Sequence, residues 1–438
     1  MGRAIRRAVG GVVAVAAAVM AVPFLVPVSH LIPGLTRFAS DKLGQPVTME
    51  DLKLHLVPTP RVVGHRITVG RKGQVLIGEL EIEPDLASLV FGPRTVRLVR
   101  AQRVVIHESA LDMARGMPRG KAGGPVLVRR LQLMSVKLVH PELDLPPFHI
   151  DVRLGEAFRM LEAQLQAYDG SLKLRAEPSG RDGTRLLLTA KSWTLPAGSR
   201  LLFDSLAATG ILRAQQLELA RIEGELYGGK LLATAKAGWG TELELSGQAR
   251  LDGVDLVPLQ NALGKPAKLS GRLTVDAQFS TRAKAPAELL DALVLEGPFE
   301  VVGGVYRGVD LSRAGGLPGE HATGEATTFE ELKGRLELRG EHVRLHPLCM
   351  RSPSMVAGGN VEIAPDNKLS GRLDLSVAKT GGIFGVPVTL GGTTDDPTLR
   401  PSKGYLIGAA LGTVLLPGIG TSIGSALGGR LEGSSGCR

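Results

Sequence analysis

The chain has 438 residues, of which 57 are glycine, and its aromatic residues number only 10 Phe, 4 Tyr and 2 Trp. Hydrophobic residues make up 43% and charged residues 22%, which excludes a disordered chain, while the scarcity of aromatic side chains argues against several dense globular cores. The formal net charge is +9, and no basic block with interleaved aromatics points to nucleic acid. A mildly basic surface fits anionic lipid headgroups as well as it fits a merely solvated face.

The N-terminus carries the clearest local signal, which predicts a transmembrane anchor over residues 1–30. Arg3, Arg6 and Arg7 precede residues 8–28, a run of 21 residues without a charge. Such a run is long enough to cross a bilayer with its basic end in the cytoplasm. A cleaved signal peptide is the alternative, although the segment ends in bulky residues without a small-x-small cleavage site. In either case we expect the chain after residue 30 to lie outside the cytoplasm.

The rest of the chain is predicted to be mostly β. We divide it into a region at 31–114, a Gly- and Pro-rich linker or loop at 115–125, and a long strand-rich region at 126–402. Apolar and polar residues alternate, as in half-buried strands, most clearly at residues 241–246, 272–277, 335–339 and 372–377. Helical spacing occurs at residues 35–43 and 155–167, and more weakly at 256–263 and 287–293. Turn signals fall at residues 181–183, 227–229, 252–253, 302–304 and 366–367.

The alternating strands leave one apolar face that needs a partner. Two sheets packed as a sandwich would bury it, whereas one long curled antiparallel sheet would leave an open apolar groove. We predict the open groove, because the apolar residues are mostly Leu, Val and Ala rather than bulky aromatics. The residues expected to line it are Leu243, Leu245, Leu273, Val275, Leu336, Leu338, Leu373 and Leu375.

The two cysteines, Cys349 and Cys437, are a candidate disulfide. Outside the cytoplasm such bonds persist, and this one would tether the extreme C-terminus. Two unpaired thiols are the alternative.

The C-terminal tail, residues 403–438, is predicted to be a hydrophobic helical hairpin. Residues 404–429 carry no charge, and Pro417-Gly418 interrupts them. Glycines at four-residue spacing would let two short helices approach closely, either to seal a groove end or enter a membrane, or as a plain buried hairpin. These helix-packing glycines are Gly404, Gly408, Gly412, Gly420, Gly424 and Gly428.

No segment of the sequence meets all the residue requirements of the catalytic or cofactor-binding motifs with which we compared it. Residues 224–230 have the glycine spacing of a phosphate-binding loop, but Leu231 stands where Ser or Thr is required, and strands flank the motif. His342, His346 and Cys349 supply too few ligands for a structural metal site. We therefore expect no catalytic residue, no metal and no cofactor.

The chain resembles the AsmA family. The resemblance rests on residues 43–48, 54–60, 80–82 and 89–92, on the Tyr-Gly-Gly turn within 222–230, on 251–256, 269–273 and 302–305, and on 395–401 before the tail. It implies a single-pass inner-membrane protein whose periplasmic part is a curled β-sheet related to bridge-like lipid transfer proteins. It also implies a role in phospholipid traffic and outer-membrane homeostasis, with no catalytic residues to transfer.

The function expected from the sequence is binding or conduction of phospholipid acyl chains along the groove. The expected partners are phospholipids and the inner membrane, with an outer-membrane or periplasmic protein at the far end, and no nucleic acid. A non-enzymatic scaffold for assembly of outer-membrane proteins is the main alternative. An outer-membrane barrel would need girdles of aromatic residues, and an enzyme acting on envelope polymers would need a recognisable active site.

Overall fold

The structure is a computed structural model that describes residues 32–90, 94–110, 126–141, 144–156, 159–180, 183–196, 199–289, 291–309, 323–353, 355–377, 385–402 and 437. The chain forms two compact units, Met1–Lys191 (unit 1) and Ser192–Arg438 (unit 2). This division does not coincide with the boundaries predicted at residues 114 and 126. The predicted anchor at 1–30, the predicted linker at 115–125 and the six helix-packing glycines lie outside the described residues.

None of the helices in the described ranges has the length and apolar character needed to span a bilayer.

Unit 1 is an open, mixed β-sheet with two helices. Helix α1 spans Ile32–Leu43 and α2 spans Leu86–Val90. The strands are β1 (Val47–Thr48), β2 (Asp51–His55), β3 (Arg61–Val69), β4 (Val75–Pro84), β5 (Arg94–His107), β6 (Val126–Val128), β7 (Arg130–Val139), β8 (Phe148–Leu154), β9 (Met160–Ala167), β10 (Leu172–Ser179) and β11 (Gly183–Thr194), which ends just past the unit boundary.

The strands of unit 1 follow one another across the sheet. β1 and β2 both pair with β3, and the order continues through β4, β5, β7, β8, β9 and β10 to β11. All pairs are antiparallel except two, in which β5 pairs in parallel with β6 and with β7. Arg66, Arg103 and Ser135 adopt positive φ in β3, β5 and β7, and the strand alternation changes phase there, so the apolar side chains before and after these positions stay on the same face. Among these three positions the register shifts only beside Ser135, between β7 and β8.

Unit 2 is an antiparallel meander. Its strands are β12 (Leu202–Arg213), β13 (Gln216–Leu226), β14 (Gly229–Trp239), β15 (Leu243–Asp255), β16 (Leu269–Ala283), β17 (Val294–Val309), β18 (Thr323–Arg339), β19 (His342–Arg351), β20 (Met355–Ile363), β21 (Leu369–Val377), β22 (Gly385–Gly392) and β23 (Pro397–Pro401). Each strand pairs with the next along the chain, from β12 to β23. Within the described residues of this unit the first and last strands do not pair, so its sheet is open.

The strands of the two units confirm that the fold is mostly β. Three of the four clearest predicted strands lie within β16, β18 and β21, and the fourth, 241–246, overlaps β15 from Leu243 onward. Two predicted helices are also present. α1 covers residues 35–43, and helix α3 spans Leu256–Ala262 after Asp255, whose carboxylate accepts a hydrogen bond from the Val257 amide as an N-cap.

The helix predicted at residues 155–167 is wrong, because Met160–Ala167 is strand β9. Its residues also alternate in burial, and pairing with β8 and β10 on both sides overrides the local helical spacing. The weak helix predicted at 287–293 is a single 3-10 turn, Pro286–Leu289.

Two predicted turns are β-bulges inside long strands. Gly253 lies within β15 and Gly303 within β17, both with positive φ, and the register shifts beside each of them. The glycines at these two positions do adopt a turn-like conformation, but each produces a local kink in a continuous strand rather than a reversal of the chain. The turns at 227–229 and 366–367 are confirmed, with Tyr227, Gly228 and Asn367 in the left-handed region.

Candidate functional site

Most apolar residues of unit 2 lie on one face of its sheet, whereas Leu232 and Val302 lie on the other face. Because paired residues in neighbouring strands point to the same face, the register can be followed from strand to strand. One such row runs directly across nine strands and contains Leu219, Ala235, Gly247, Phe279, Leu295, Leu338, Val343, Ile363 and Leu369. We call these nine residues the open row. At about 4.8 Å per strand, eight steps make it roughly 38 Å long.

The same face is closed where α3 packs on it. There the buried side chains form one cluster, hereafter the closed cluster, whose members are Phe203, Leu226, Val254, Leu256, Leu259, Val301, Phe329, Met350, Met355, Ala357, Leu373, Leu375, Val388, Leu390 and Leu399. Its largest fully buried side chains are Phe329, Leu375, Val254, Val301 and Val388. This end of the face is therefore a hydrophobic core.

Two phenylalanines show how large side chains fit beside many glycines. Phe279 is the cross-strand partner of Gly247, and Phe329 that of Gly304. A Cβ at Gly247 would lie 2.8 Å from Phe279 Cζ, and one at Gly304 would overlap the ring of Phe329. Each ring thus lies over the bare backbone of its partner, so glycine here serves packing rather than a turn.

The open row differs from the closed cluster in its exposure. Apart from the small and buried Ala235, its members remain partly exposed to solvent, and only Leu369 packs against the closed cluster. Trp239, on the same face in β14, has 37% of its surface exposed. The open row is therefore apolar and continuous, while beyond it the 3-10 turn Pro286–Leu289 covers the end of β16, where the Thr281 hydroxyl donates a 2.6 Å hydrogen bond to the Leu289 carbonyl.

The eight predicted groove residues all lie on this face but have different surroundings. Leu243, Leu245, Leu336 and Leu338 belong to its partly exposed half. Val275 and Leu273 lie towards the closed end, where Leu273 packs against the closed cluster. Leu373 and Leu375 are 7% and 1% exposed within that cluster, so they are core residues.

Unit 1 presents a second apolar face, which the sequence reasoning missed. A register row joins Leu80, Ala101, Leu133, Ile150, Leu165, Leu174 and Leu188 across strands β4 to β11. Of these only Ala101 is buried; the leucines and Ile150 are partly exposed. The alternation that could have revealed it is visible at residues 172–176, where Leu, Lys, Leu, Arg and Ala succeed one another.

The opposite face of each sheet is charged, and its charges are paired across strands. In unit 2, Arg335 approaches Glu296 to 2.5 Å, and Arg344 approaches Glu362 to 3.0 Å. The hydrogen bonds from these arginines hold the pKa of Glu296 and of Glu362 below the usual range. Both sheets therefore have one face suited to water and one face that is apolar.

The motifs rejected from the sequence have structural roles. Residues 224–230 form the hairpin between β13 and β14, where the Tyr227 hydroxyl accepts a 3.0 Å hydrogen bond from the Leu202 amide. His342 contacts Glu362 at 2.7 Å, and His346 contacts Glu337 at 3.1 Å. Within the described ranges no three metal-binding side chains come together.

The structure joins Cys349 to Cys437 in a disulfide with a Cα–Cα distance of 5.5 Å. Cys349 is the register partner of Lys333, whereas Leu348 beside it faces the apolar side with Gly334. The bond consequently attaches residue 437 to the polar face of unit 2 rather than to its apolar face.

Comparison with known proteins gives no relative: no family model, no curated protein and no solved structure matches the chain.

Proposed function

We propose that the chain binds phospholipid acyl chains on the apolar faces of its sheets and conducts them along a curled, open groove. The observation that carries the proposal is the open row of unit 2, a continuous line of apolar residues roughly 38 Å long, most of them partly exposed, on a sheet whose other face is charged. Exposed apolar surface of this extent on a folded protein calls for a hydrophobic partner.

The composition of the row favours a mobile ligand over a tightly held one. Its members are aliphatic, aromatic or glycine, so it offers no polar side chain to fix a headgroup. An acyl chain contacting it gains hydrophobic stabilisation, about 0.8 kcal/mol per buried methylene, that is nearly the same at each position along the row. Sliding therefore meets no deep minimum, and headgroups stay in water.

The proposal places the protein in the inner membrane, held by residues 1–30, with the β-rich remainder in the periplasm. It is supported by the basic and then uncharged N-terminus and by the resemblance to the AsmA family. The proposed role is supply of phospholipid for outer-membrane homeostasis, without a catalytic step.

The two tryptophans allow a direct test. Trp239 lies on the partly exposed half of the apolar face, whereas Trp193 packs against the closed cluster. Phospholipid with brominated acyl chains quenches the fluorescence of a tryptophan that it touches. We expect brominated lipid to quench the Trp193→Phe variant, which retains Trp239, and to leave the Trp239→Phe variant bright. Equal quenching of both variants, or of neither, would contradict binding at the open half.

Substitutions on the two faces of unit 2 provide the matched control. Leu245→Asp and Leu338→Asp place a charge on the apolar face, whereas Leu232→Asp places one on the polar face at a side chain that is 52% exposed. We expect phospholipid to co-purify with the full chain and with Leu232→Asp, and to be lost from the other two variants. Photo-crosslinking at position 338 should capture lipid; capture of a protein instead would favour an assembly scaffold.

A further inference from the structure

The positive charge of the chain is concentrated in unit 1. Residues 1–191 contain 27 Lys and Arg against 17 Asp and Glu, whereas residues 192–438 contain 25 against 26. The net charges are therefore +10 and −1, and residues 31–191, without Arg3, Arg6 and Arg7 of the predicted anchor, still carry +7. Because a net positive charge attracts anions, we expect an anion-binding site on the polar face of unit 1.

Three arginines converge on that face from β7, β8 and β10, with β9 between the last two strands. Arg130 lies in β7, Arg153 in β8 and Arg175 in β10. Together with Asp151, Glu162 and Gln164 they line a concavity of about 420 Å³, to which no apolar side chain contributes. We call this concavity the arginine site. Its residues are on the face opposite Leu133, Ile150, Leu165 and Leu174.

Buried and half-buried carboxylates hold the three guanidinium groups in place. The Glu162 side chain is only 7% exposed; it contacts Arg153, and its Oε1 lies 3.0 Å from Arg175 Nε. Asp151 accepts hydrogen bonds from Arg130 Nε at 3.0 Å and from Arg130 Nη2 at 2.6 Å. These bonds hold the pKa of Asp151 below its usual value, so the carboxylate stays charged.

The site has unused hydrogen-bond donors, while its carboxylates are engaged. Glu162 also accepts from the Gln164 amide at 2.7 Å, and Asp151 from the Gln132 amide at 2.9 Å. A guanidinium group has five N–H donors. Among the contacts of the described residues, Arg153 uses one and Arg130 uses two; Arg175 also uses two, the second to Glu177 at 2.6 Å.

This imbalance selects the kind of ligand. The three side chains are 52%, 63% and 53% exposed, in the order Arg130, Arg153 and Arg175, so their remaining donors can be reached from solvent. A ligand entering the concavity meets guanidinium groups, which are planar, positively charged and have unused N–H donors. The carboxylates beside them already accept hydrogen bonds from protein groups. A tetrahedral oxyanion with several acceptor oxygens matches that surface, because guanidinium groups bind phosphate through paired N–H bonds.

We propose that Arg130, Arg153 and Arg175 form a binding site for a phosphate group on the polar face of unit 1. The phosphate belongs either to a lipid headgroup or to a soluble phosphate compound, since both present the same oxygens. The site lies on the face opposite the apolar one, so it stands independently of the proposed function.

The test is calorimetric titration of the full chain in non-ionic detergent with two water-soluble compounds. One is inorganic phosphate, and the other is glycerophosphoglycerol, the deacylated headgroup of phosphatidylglycerol. Binding of the second at equal or higher affinity assigns the site to lipid headgroups, and binding of the first alone assigns it to soluble phosphate. Failure of both to bind at millimolar concentration overturns the proposal.

Arginine variants show whether phosphate binding depends on the positioned arginines of the site or only on the positive charge of the protein. Arg153→Gln and Arg153→Lys should each weaken binding about tenfold or more, because the first removes the donors and the second removes their planar geometry. The matched control is Arg282→Gln in unit 2, a 65% exposed arginine paired with Glu244 at 2.7 Å, which should leave the affinity unchanged.

Glu162→Gln gives the sharpest discrimination. It makes the site more positive yet removes the carboxylate that holds Arg153 and Arg175. A positioned site predicts weaker binding, whereas general attraction predicts tighter binding, and tighter binding would refute the proposal. Circular dichroism identifies variants that fail to fold. If Glu162→Gln does not fold, the affinities of Arg153→Gln and Arg153→Lys test the site instead. Unchanged affinity for phosphate in both of these variants would refute the proposal.

Discussion

The contrast between the closed cluster and the open row gives a quantitative prediction for two leucines of unit 2. Leu375 is 1% exposed in the closed cluster, and Leu338 is a partly exposed member of the open row. Truncating Leu375 to Ala removes buried methyl groups worth about 2 kcal/mol and leaves a cavity that the packed neighbours fill only in part, so we expect a loss of about 3 kcal/mol. Truncating Leu338 to Ala leaves a space that water can enter, and we expect a loss of about 1 kcal/mol or less.

Urea unfolding followed by tryptophan fluorescence measures both losses in the same unit. The chain has two tryptophans, Trp193 and Trp239, and both belong to unit 2, so the signal reports on that unit alone. An unchanged dependence on urea concentration would show that both variants unfold the same amount of surface. Equal losses for Leu375→Ala and Leu338→Ala would refute the reasoning, because they would mean that the open row is packed as tightly as the core.

Three further predictions address the disulfide, a titrating carboxylate and a glycine. Cys437→Ser opens a bond between residues 88 apart, which in the chain-entropy relation costs unit 2 about 4–5 kcal/mol; an unchanged urea midpoint would contradict this. The hydrogen bond from Arg130 keeps the pKa of Asp151 low, so the ionised carboxylate contributes its full stabilisation of the fold above about pH 4. That contribution is lost as the pH falls through the pKa of Asp151 in the folded state. In Arg130→Gln the stability should fall less steeply with decreasing pH, as measured by unfolding followed with far-ultraviolet circular dichroism. Gly304→Ala should cost about 1–3 kcal/mol because the new Cβ overlaps a phenylalanine ring, whereas Gly240→Ala, with nothing within 4 Å, should cost almost none; similar thermal midpoints for the two variants would argue against that packing.

The alternation of apolar and polar residues was enough to predict the strands and the single apolar face of unit 2. Strand periodicity is a local property, so Leu243, Leu245, Leu336 and Leu338 could be assigned to a common face before their register was known. The same reasoning applied to residues 172–176 would have found the apolar face of unit 1.

The parts that failed depend on contacts between distant segments. No local pattern distinguishes Leu375, which is buried in the closed cluster, from Leu338, which is not, because that difference comes from side chains more than a hundred residues away such as Val254 and Leu256. Gly253 likewise looks like a turn in isolation and becomes a bulge because β14 and β16 pair with β15 on both of its sides. The arginine site also arises only once β7, β8, β9 and β10 lie side by side.

The bond between Cys349 and Cys437 has a consequence for how the chain behaves when it is cut. Together with the backbone between them, it makes residues 349–437 a covalently closed ring. A protease that cleaves one peptide bond inside this ring opens it without dividing the molecule. On a gel run without reductant the nicked protein keeps its full mass, and two fragments appear only after reduction. A label at the C-terminus therefore stays attached to unit 2 after cleavage of one peptide bond between residues 349 and 437, for as long as the disulfide is not reduced.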